Sequence, residues 1–375
     1  MMPTRRPRRW AELAKRLFRT YRTTNTGLIF LAVVLVYMYL DYRHSTCPYH
    51  SGQPPKALRL DDVVLHPATL PSSSGQCKRA VRGAFDAAQE TYPDLDQASA
   101  RQAMKGVVMA LYGAGKDAVS DAIRTHAQWE EGNIAVLQRM LRNVEALEGV
   151  RPTFVDIGAN LGWFTFRHLS QGYRVVSFEP MKSNLAALLT THCLTGPRHL
   201  HRNMHTVIAV GLSDSKQDCR LVSEEHNVGD GILECGAGDK PVAEGYHVAS
   251  HMPLDTIDNL IIEGLFDPGP VSVVKIDIEG HEYFAFSGAA AWLKSSRRPK
   301  FVLTEMWQVR GTATQYVRLM ADAGYEVHVR ESAKSESFVR MAVPAAVDWA
   351  REWEGGKRPE QGIITDVIFA QPGIL

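Results

Sequence analysis

The segment VVKIDIEGHEYFAF places groups that can exchange protons at the end of an apolar run. Lys275, Asp277 and Glu279 alternate, so on a β-strand their side chains share one face. His281 lies where the pattern becomes helical, and an imidazole can act as a general base near neutral pH. Glu282 falls in the first helical turn, where a carboxylate favours the positive helix end, so we assign it to capping. The segment predicts a catalytic group of Asp277, Glu279 and His281.

A second set of such residues lies in FVDIGANLG, where an apolar run ends in Asp156, Gly158, Asn160 and Gly162. These glycines allow a turn to approach a ligand closely and lead into a helix N-terminus. About twenty residues later a second strand ends in Glu179, an acid placed to bind ribose hydroxyls. The loop is neither a clean G-x-G-x-x-G nor a P-loop. It suits a nucleoside ligand with an ammonium group, such as S-adenosylmethionine, although an ordinary strand–turn–helix corner is the alternative.

The elements that carry these residues alternate between strand and helix from residue 150 onwards. Apolar strands that run without polar interruption predict a parallel sheet covered by helices on both faces. In such sheets ligands bind at the carboxyl ends of the strands, where both groups lie. Ser183 is the predicted N-cap of the helix SNLAALLTTHCL, EYFAFSGAAAWL is predicted as one helix, and residues 213–250 are predicted to be irregular.

Six motifs in this region resemble those of the FkbM-type S-adenosylmethionine-dependent methyltransferases: FVDIGANLGWFTF, VVSFEPMKSNLAALL, VIAVGLSD, PLDTIDNLI, VVKIDIEGHEYFAFSGA and FVLTEM. They occur in the family's order and cover about residues 150–307. The resemblance implies an α/β class I methyltransferase (Rossmann-like) fold, a seven-stranded sheet with its last strand antiparallel. It also implies O-methylation of a hydroxyl on a sugar, glycan or small metabolite, with S-adenosylmethionine as cofactor.

The resemblance also assigns roles to individual positions. By it, Asp156 and the loop to Gly162 hold the cofactor, with Asp156 on its amino group, and Glu179 holds the ribose. The cofactor set it implies is Asp156, Gly158, Asn160, Gly162, Glu179, Asn184 and, more weakly, Asp214 near the adenine. A sugar hydroxyl is a poor nucleophile until a base accepts its proton, and His281 is the predicted base.

The N-terminal region predicts a membrane anchor. Residues 1–22 contain eight basic residues and one acidic residue, and residues 23–40 contain no charge. As a helix, those uncharged residues would extend roughly 27 Å, near the thickness of a thin bilayer. The positive flank should remain cytosolic, which predicts a single-pass signal-anchor protein with a luminal body in the Golgi or endoplasmic reticulum. An Arg-rich, acid-poor start also describes a mitochondrial presequence, which is the alternative.

The predicted domains are a basic cytosolic tail (1–22), a transmembrane signal anchor (23–40), a stem (41–80), a helical lead-in (81–149) and a methyltransferase domain (150–375). The stem assignment rests on its Pro, Ser, Gly and His content. Of the five cysteines, Cys47 and Cys77 fall in the stem, and Cys219 and Cys235 could pair in an oxidising lumen. Free thiols are the alternative.

Two other functional classes are compatible with parts of the sequence. A basic tail, anchor, stem and luminal α/β body is also the plan of a Golgi glycosyltransferase, and DIE at 277–279 loosely resembles a metal-binding D-x-D. A non-catalytic ligand-binding module is the third class. The body beyond residue 22 carries 34 basic and 40 acidic residues, which argues against a nucleic-acid partner. The histidines between 192 and 205 match no zinc spacing, so no metal site is predicted.

Overall fold

The computed structural model describes residues 58–59, 62–196, 199–224, 226–236, 238, 240–306, 311–331, 335–352, 354 and 366–375. The predicted tail and anchor, residues 1–22 and 23–40, lie outside these residues. No helix in the described part of the chain is long and apolar enough to cross a membrane.

Fifteen strands are found in the described residues: β1 (Val64–Leu65), β2 (Leu95–Ser99), β3 (Val108–Tyr112), β4 (Thr153–Ile157), β5 (Arg174–Phe178), β6 (His205–Ile208), β7 (Gly211–Leu212), β8 (Gln217–Glu224), β9 (Asn227–Cys235), β10 (Tyr246–Asp255), β11 (Ser272–Ile276), β12 (Phe301–Glu305), β13 (Glu326–Arg330), β14 (Phe338–Met341) and β15 (Asp366–Ala370).

Ten α-helices accompany them: α1 (Ser74–Ala87), α2 (Ala118–His126), α3 (Glu131–Glu148), α4 (Trp163–Leu169), α5 (Lys182–Thr195), α6 (Ile257–Ile262), α7 (Glu282–Ser287), α8 (Ala290–Lys294), α9 (Ala313–Asp322) and α10 (Val343–Arg351).

The central sheet has the order β1-β6-β5-β4-β11-β12-β15-β13-β14. Strands β6, β5, β4, β11 and β12 pair in parallel with one another, and β15 is antiparallel to both β12 and β13. The predicted seven-stranded sheet with an antiparallel last strand is therefore confirmed. Short antiparallel strands extend it at both edges, β1 against β6 and β14 against β13, and neither was predicted.

The core lies on both faces of this sheet because successive strand residues point to opposite sides. Phe154 of β4 belongs to one apolar cluster, whereas Val155 and Ile157 belong to the other. Helices α1, α3, α4 and α5 contribute to the first cluster, and α6 to α10 contribute to the second. The alternation of strand and helix in the sequence correctly indicates this three-layer arrangement.

A second sheet, with the order β7-β10-β8-β9, occupies the region that the sequence predicts to be irregular. The prediction for residues 213–250 is thus wrong for most of that region. Its glycines had suggested loops, but Gly231 lies within β9, where an added Cβ would sit 2.8 Å from the Leu221 side chain. Here glycine serves close packing of one strand against its neighbour.

Strands also occur in the part of the chain before β4. In the predicted helical lead-in, 81–149, β2 and β3 form an antiparallel hairpin. In the predicted stem, 41–80, β1 joins the central sheet and α1 begins at Ser74. Buried Cys77, Val81 and Phe85 recur at helical spacing on α1, a pattern hidden by the polar residues around them.

Two local expectations also differ. Helix α5 begins at Lys182 with Met181 at its N-cap, so Ser183 lies inside the helix. The predicted single helix after β11 is divided into α7 and α8 near Gly288, whose added Cβ would lie 2.1 Å from the backbone oxygen of Ser213.

The structure contains two disulfides. Cys219 and Cys235 are joined, which is the pairing that the sequence analysis set against free thiols. Cys77 is joined to Cys193, 116 residues away, and this pair was not predicted. It connects α1 to α5, two helices that cover the same face of the central sheet.

Candidate active site

A cavity of about 830 Å³ opens at the carboxyl ends of the central strands. Its lining comes from the ends of β4, β5 and β11 with the residues that follow them, from the last residue of β12, and from β9 of the second sheet. The segment before β4 closes one side. The lining includes residues 157–161, 178–181, 229–233, 277–279 and 117–119, with Trp129, Glu130, Asn184, Lys275 and Glu305.

The loop after β4 is held tightly between the ends of β5 and β11. Gly158 has φ +79°, and a Cβ added there would lie 1.9 Å from the backbone oxygen of Asp277. The Gly158 and Ala159 amides donate to the Phe178 oxygen at 3.0 and 2.9 Å. Only glycine allows this close approach, so the residue shapes the cavity through the backbone.

Glu179 lies at the end of β5, where the sequence places it. Its carboxylate accepts hydrogen bonds from the backbone amides of Asn160 at 2.7 Å and Met181 at 2.8 Å. Burial raises the pKa of Glu179 to about 7, and these hydrogen bonds oppose that rise. The structure therefore brings Gly158, Asn160 and Glu179 together at one end of the cavity.

Asn184 connects this end of the cavity to β9. Its Nδ2 donates to the Gly229 oxygen of β9 at 3.0 Å, and its Oδ1 accepts from the Tyr112 hydroxyl at 2.8 Å. The predicted cofactor residue thus also fixes the second sheet against α5.

Three predicted cofactor residues do not line the cavity: Asp156, Gly162 and Asp214. Asp156 is fully buried and accepts a hydrogen bond from Thr165 Oγ1 at 2.6 Å, and burial raises its pKa. The expected contact of Asp156 with the cofactor's amino group is therefore not supported. Gly162 is the N-cap of α4 with φ +87°, and its added Cβ would lie 2.6 Å from the Phe166 ring. Its role is conformational.

Buried Lys275 and half-buried Asp277 form an ion pair at the end of β11. Lys275 Nζ lies 3.4 Å from Asp277 Oδ2, donates to the Gly158 oxygen at 3.2 Å and lies 5.1 Å from the centre of the Phe164 ring. Burial alone would lower the pKa of Lys275, but the carboxylates of Asp277 and Asp156 raise it above its ordinary value. The lysine stays charged and joins the loops after β4 and β11.

Glu279 lies beside this pair in a left-handed backbone conformation, φ +54°. Burial, together with the charges of Asp277 and Asp230, raises its pKa to about 10. Burial and Asp277 likewise raise the pKa of Asp230, on β9, to about 6. Among the residues described, no group of three or more His, Cys, Asp or Glu side chains could hold a metal ion. The D-x-D-like spacing of Asp277 and Glu279 does not build such a site.

His281 does not line the cavity. Its Nε2 lies 3.1 Å from Ser213 Oγ, and its ring lies against the Phe284 ring with the centres 4.8 Å apart. Burial lowers its pKa, partly offset by the charge of Asp214. Asp214, the predicted adenine contact, is exposed and accepts from Ser215 Oγ at 3.1 Å. The geometry therefore supports neither the predicted base nor the predicted adenine contact.

Glu282 has the capping role that the sequence indicates. Its Oε1 accepts from the backbone amides of Ile278 at 2.9 Å and Gly280 at 3.4 Å. These bonds close the turn between β11 and α7.

Several lining residues were missed by sequence reasoning, chiefly Asp117, Glu130, Asp230 and Glu305. Asp117 begins α2 as an N-cap that accepts from the Ser120 amide at 2.6 Å, so the spacing D-A-V-S was a usable signal. Glu305 ends β12, and the rule that strand ends carry the ligand site would have selected it. Glu130 and Asp230 carry no local signal.

Comparison with known proteins identifies the domain around this cavity. Residues 156–327 match the family model described as Methyltransferase FkbM domain. These residues form an FkbM methyltransferase domain. The methyl donor of the family is S-adenosylmethionine. A search of curated proteins gave no significant match to this chain.

Several solved methyltransferase structures are similar to the FkbM-containing chain at low identity. The S-adenosylmethionine-dependent methyltransferase from Agrobacterium tumefaciens is 11% identical, with 75% of this chain and 71% of that chain covered and a TM-score of 0.36. A putative RNA methyltransferase from Pyrococcus horikoshii is 10% identical, with 63% and 81% covered and a TM-score of 0.26. The glycopeptide N-methyltransferase MtfA complexed with sinefungin is 15% identical, with 63% and 87% covered and a TM-score of 0.26.

The FkbM domain's own residues fit the cofactor. Gly158 lets the loop after β4 pack directly against the Asp277 backbone beside the cavity, and Glu179 supplies a carboxylate of the kind that binds ribose hydroxyls. The acidic lining also suits a ligand with a sulfonium and an ammonium group. When bound, S-adenosylmethionine supplies an electrophilic methyl group on a positively charged sulfur.

Proposed function

We propose that this protein transfers a methyl group from S-adenosylmethionine to a hydroxyl oxygen of a sugar, glycan or small metabolite. The observation that carries the proposal is that the FkbM domain gathers the Gly158 loop, Glu179 and Asp277 around one cavity of about 830 Å³. A cavity of that size suits a nucleoside cofactor together with part of an acceptor.

The chain's own groups have distinct parts in this reaction. The Gly158 loop and Glu179 position the donor, and Lys275 keeps Asp277 fixed at the end of β11. Holding donor and acceptor in line supplies several kcal/mol of the rate enhancement on its own. A carboxylate of the cavity accepts the hydroxyl proton, which contributes about 10²–10⁴-fold.

We also propose a luminal location for this domain in the Golgi or endoplasmic reticulum. The Cys77–Cys193 and Cys219–Cys235 disulfides favour an oxidising compartment. The basic residues before the uncharged stretch 23–40 favour a signal anchor with that orientation.

Calorimetric titration of the purified chain with S-adenosylmethionine and S-adenosylhomocysteine tests the activity class. Gly158→Ala should lower the affinity for both by about 100-fold, equivalent to ~2.7 kcal/mol, because its Cβ displaces the loop. Gly83→Ala is the matched control, since nothing lies within 4 Å of the added Cβ. Circular dichroism checks that both variants fold. Binding of a nucleotide sugar in place of the nucleosides would favour a glycosyltransferase, and binding of neither would favour a non-catalytic module.

A further inference from the structure

The segment before the FkbM domain contributes a carboxylate to the cavity. Trp129 and Glu130 occupy the corner between α2 and α3, and both line the cavity. The corner is conformationally defined, since Ala127 has φ +53° and Glu130 has φ +45°. Glu130 is the N-cap residue of α3, but its side chain makes no capping hydrogen bond. The carboxylate therefore has another use.

Two hydrogen bonds fix this corner from opposite sides. Trp163 Nε1, on α4, donates to the Trp129 oxygen at 2.8 Å. Asn133 Nδ2, one turn along α3, donates to Glu130 Oε2 at 3.0 Å. Both the backbone before Glu130 and the end of its side chain are thus held.

Asn133 is itself fixed by the central sheet. Its Nδ2 also donates to Asp366 Oδ1 of β15 at 3.2 Å, and its Oδ1 accepts from Arg330 of β13. Arg330 Nε lies 2.7 Å from Asp366 Oδ2. An ion pair between buried Arg330 and partly buried Asp366, on two sheet strands, therefore positions the amide that holds Glu130.

Glu130 differs from its neighbour Asp277 in its contacts. Asp277 is paired with the Lys275 ammonium, whereas the hydrogen bond that holds Glu130 comes from a neutral amide. The Lys275 charge also acts on Glu130 and by itself would lower its pKa, but burial outweighs it. Burial, with the charge of Asp277, raises the pKa of Glu130 to about 7, near the value that suits a general base at neutral pH.

We propose that Glu130 is a catalytic residue, the carboxylate that accepts the acceptor's proton during methyl transfer. This inference rests on the proposed function. The acceptor oxygen forms a bond to the methyl carbon while the sulfur–carbon bond breaks, and its electron pair stays on sulfur as S-adenosylhomocysteine. The hydroxyl proton passes to Glu130, which becomes a neutral carboxylic acid and later releases that proton to solvent.

Sinefungin and S-adenosylhomocysteine test this role without a known acceptor. Sinefungin carries an amine in the position of the transferred methyl group, so a carboxylate at the reaction centre should bind it preferentially. Calorimetry of the wild-type chain should show tighter binding of sinefungin, with a preference that increases as pH rises through about 7, where Glu130 ionises. Glu130→Gln should reduce the preference by about 10-fold or more and remove its pH dependence.

The affinity for S-adenosylhomocysteine should change by less than about twofold in Glu130→Gln, because that ligand lacks the charge. Glu130→Asp keeps the charge and should keep the pH dependence, which separates ionisation from packing. Glu131→Gln is the neighbouring control: Glu131 pairs with Arg167 at 3.0 Å and does not line the cavity.

The assignment would be overturned if Glu130→Gln kept the wild-type preference for sinefungin and Asp277→Asn lost it. Asp277 would then be the proton acceptor. That outcome would leave the methyltransferase proposal intact. Failure of the wild-type chain to bind any of these nucleosides would overturn both.

Discussion

At the scale of single residues, His281 shows how type and position can indicate chemistry that geometry does not support. The sequence places an imidazole after the strand-end acids, but the β11–α7 turn directs it to Ser213 and Phe284. The turn is closed by Glu282, whose bonds to the Ile278 and Gly280 amides fix the backbone before the helix. His281 therefore contributes to packing outside the cavity.

His281→Ala should leave the affinity for S-adenosylhomocysteine within about twofold of wild type. It should lower the free energy of unfolding by about 1 kcal/mol, since a hydrogen bond and a ring contact are lost. Calorimetry and urea unfolding measure the two effects. A large loss of nucleoside affinity with unchanged stability would contradict the packing role and indicate that His281 belongs to the binding site.

Three buried histidines lie outside the cavity lining: His168 on α4, His192 on α5 and His205 at the start of β6. His192 Nε2 and His205 Nδ1 are 2.8 Å apart, and His205 Nε2 lies 2.9 Å from Ser177 Oγ. His168 Nδ1 donates to the Phe164 oxygen at 2.8 Å. Burial lowers the pKa of His168 to about 4 and that of His205 to about 3. All three rings are therefore neutral in the folded chain at physiological pH.

This burial predicts a loss of stability in acid. Below pH 6.5 the unfolded chain binds a proton at His168, whereas the folded chain does not bind one there until about pH 4. The contribution of neutral His168 to the free energy of unfolding is therefore complete above pH 6.5 and decreases below it. In urea unfolding, the stability of wild type relative to His168→Asn should fall between pH 6 and 5, with a slope that approaches but does not exceed ~1.4 kcal/mol per pH unit. The buried carboxyls are common to both proteins and cancel.

The control for this measurement is His126→Asn, at an exposed position at the end of α2. The stability difference for His168→Asn should depend on pH more steeply than the difference for this exposed position. If the two differences depend on pH equally, His168 is not held neutral by burial.

At the scale of elements, the second sheet is the part that turns strand ends into a cavity. Residues 229–233 of β9 line the cavity together with the Gly158 loop, and Asn184 attaches β9 to α5. The Cys219–Cys235 disulfide joins β8 to β9 at paired positions. The Cys77–Cys193 disulfide instead joins α1 to α5, two helices that cover one face of the central sheet.

The two disulfides should stabilise the chain to different extents. In the chain-entropy view a short loop contributes ~3 kcal/mol and a loop of about 100 residues ~4.7 kcal/mol. Here the separations are 16 and 116 residues. Cys77→Ala/Cys193→Ala should therefore lower the free energy of unfolding more than Cys219→Ala/Cys235→Ala, as urea unfolding can measure. Equal, negligible losses in both pairs would show that neither bond forms in the purified chain.

At the scale of the whole molecule, the proposed luminal location is open to a direct test. The sequence has no N-x-[ST] acceptor, so glycosylation of the natural chain cannot report its compartment. Lys294→Asn creates one with Ser296, at the exposed end of α8. This variant should carry a glycan removable by an endoglycosidase when the full chain is expressed in cells.

Lys294→Asn/Ser296→Ala is the control for this test, since it has the asparagine without the acceptor motif. An unglycosylated Lys294→Asn chain recovered from mitochondria, shortened at its start, would contradict the luminal proposal.

The sequence by itself indicated the succession of strands and helices, the resemblance to S-adenosylmethionine-dependent methyltransferases, and the placement of Gly158, Asn160, Glu179 and Asp277 at one edge of the sheet. It could do so because apolar periodicity and turn glycines act over a few residues, and parallel strands bring their ends together whatever lies between them.

Only the tertiary structure decided which side chains meet across the cavity. Asp230 comes from a strand that reads as a loop, Glu130 from a helix corner before the family domain, and Asp156 turns away towards Thr165. Such contacts depend on strand pairing and helix packing between segments far apart in the chain. No local sequence pattern predicts these contacts, because the backbone preference of each segment does not depend on which other segment packs against it.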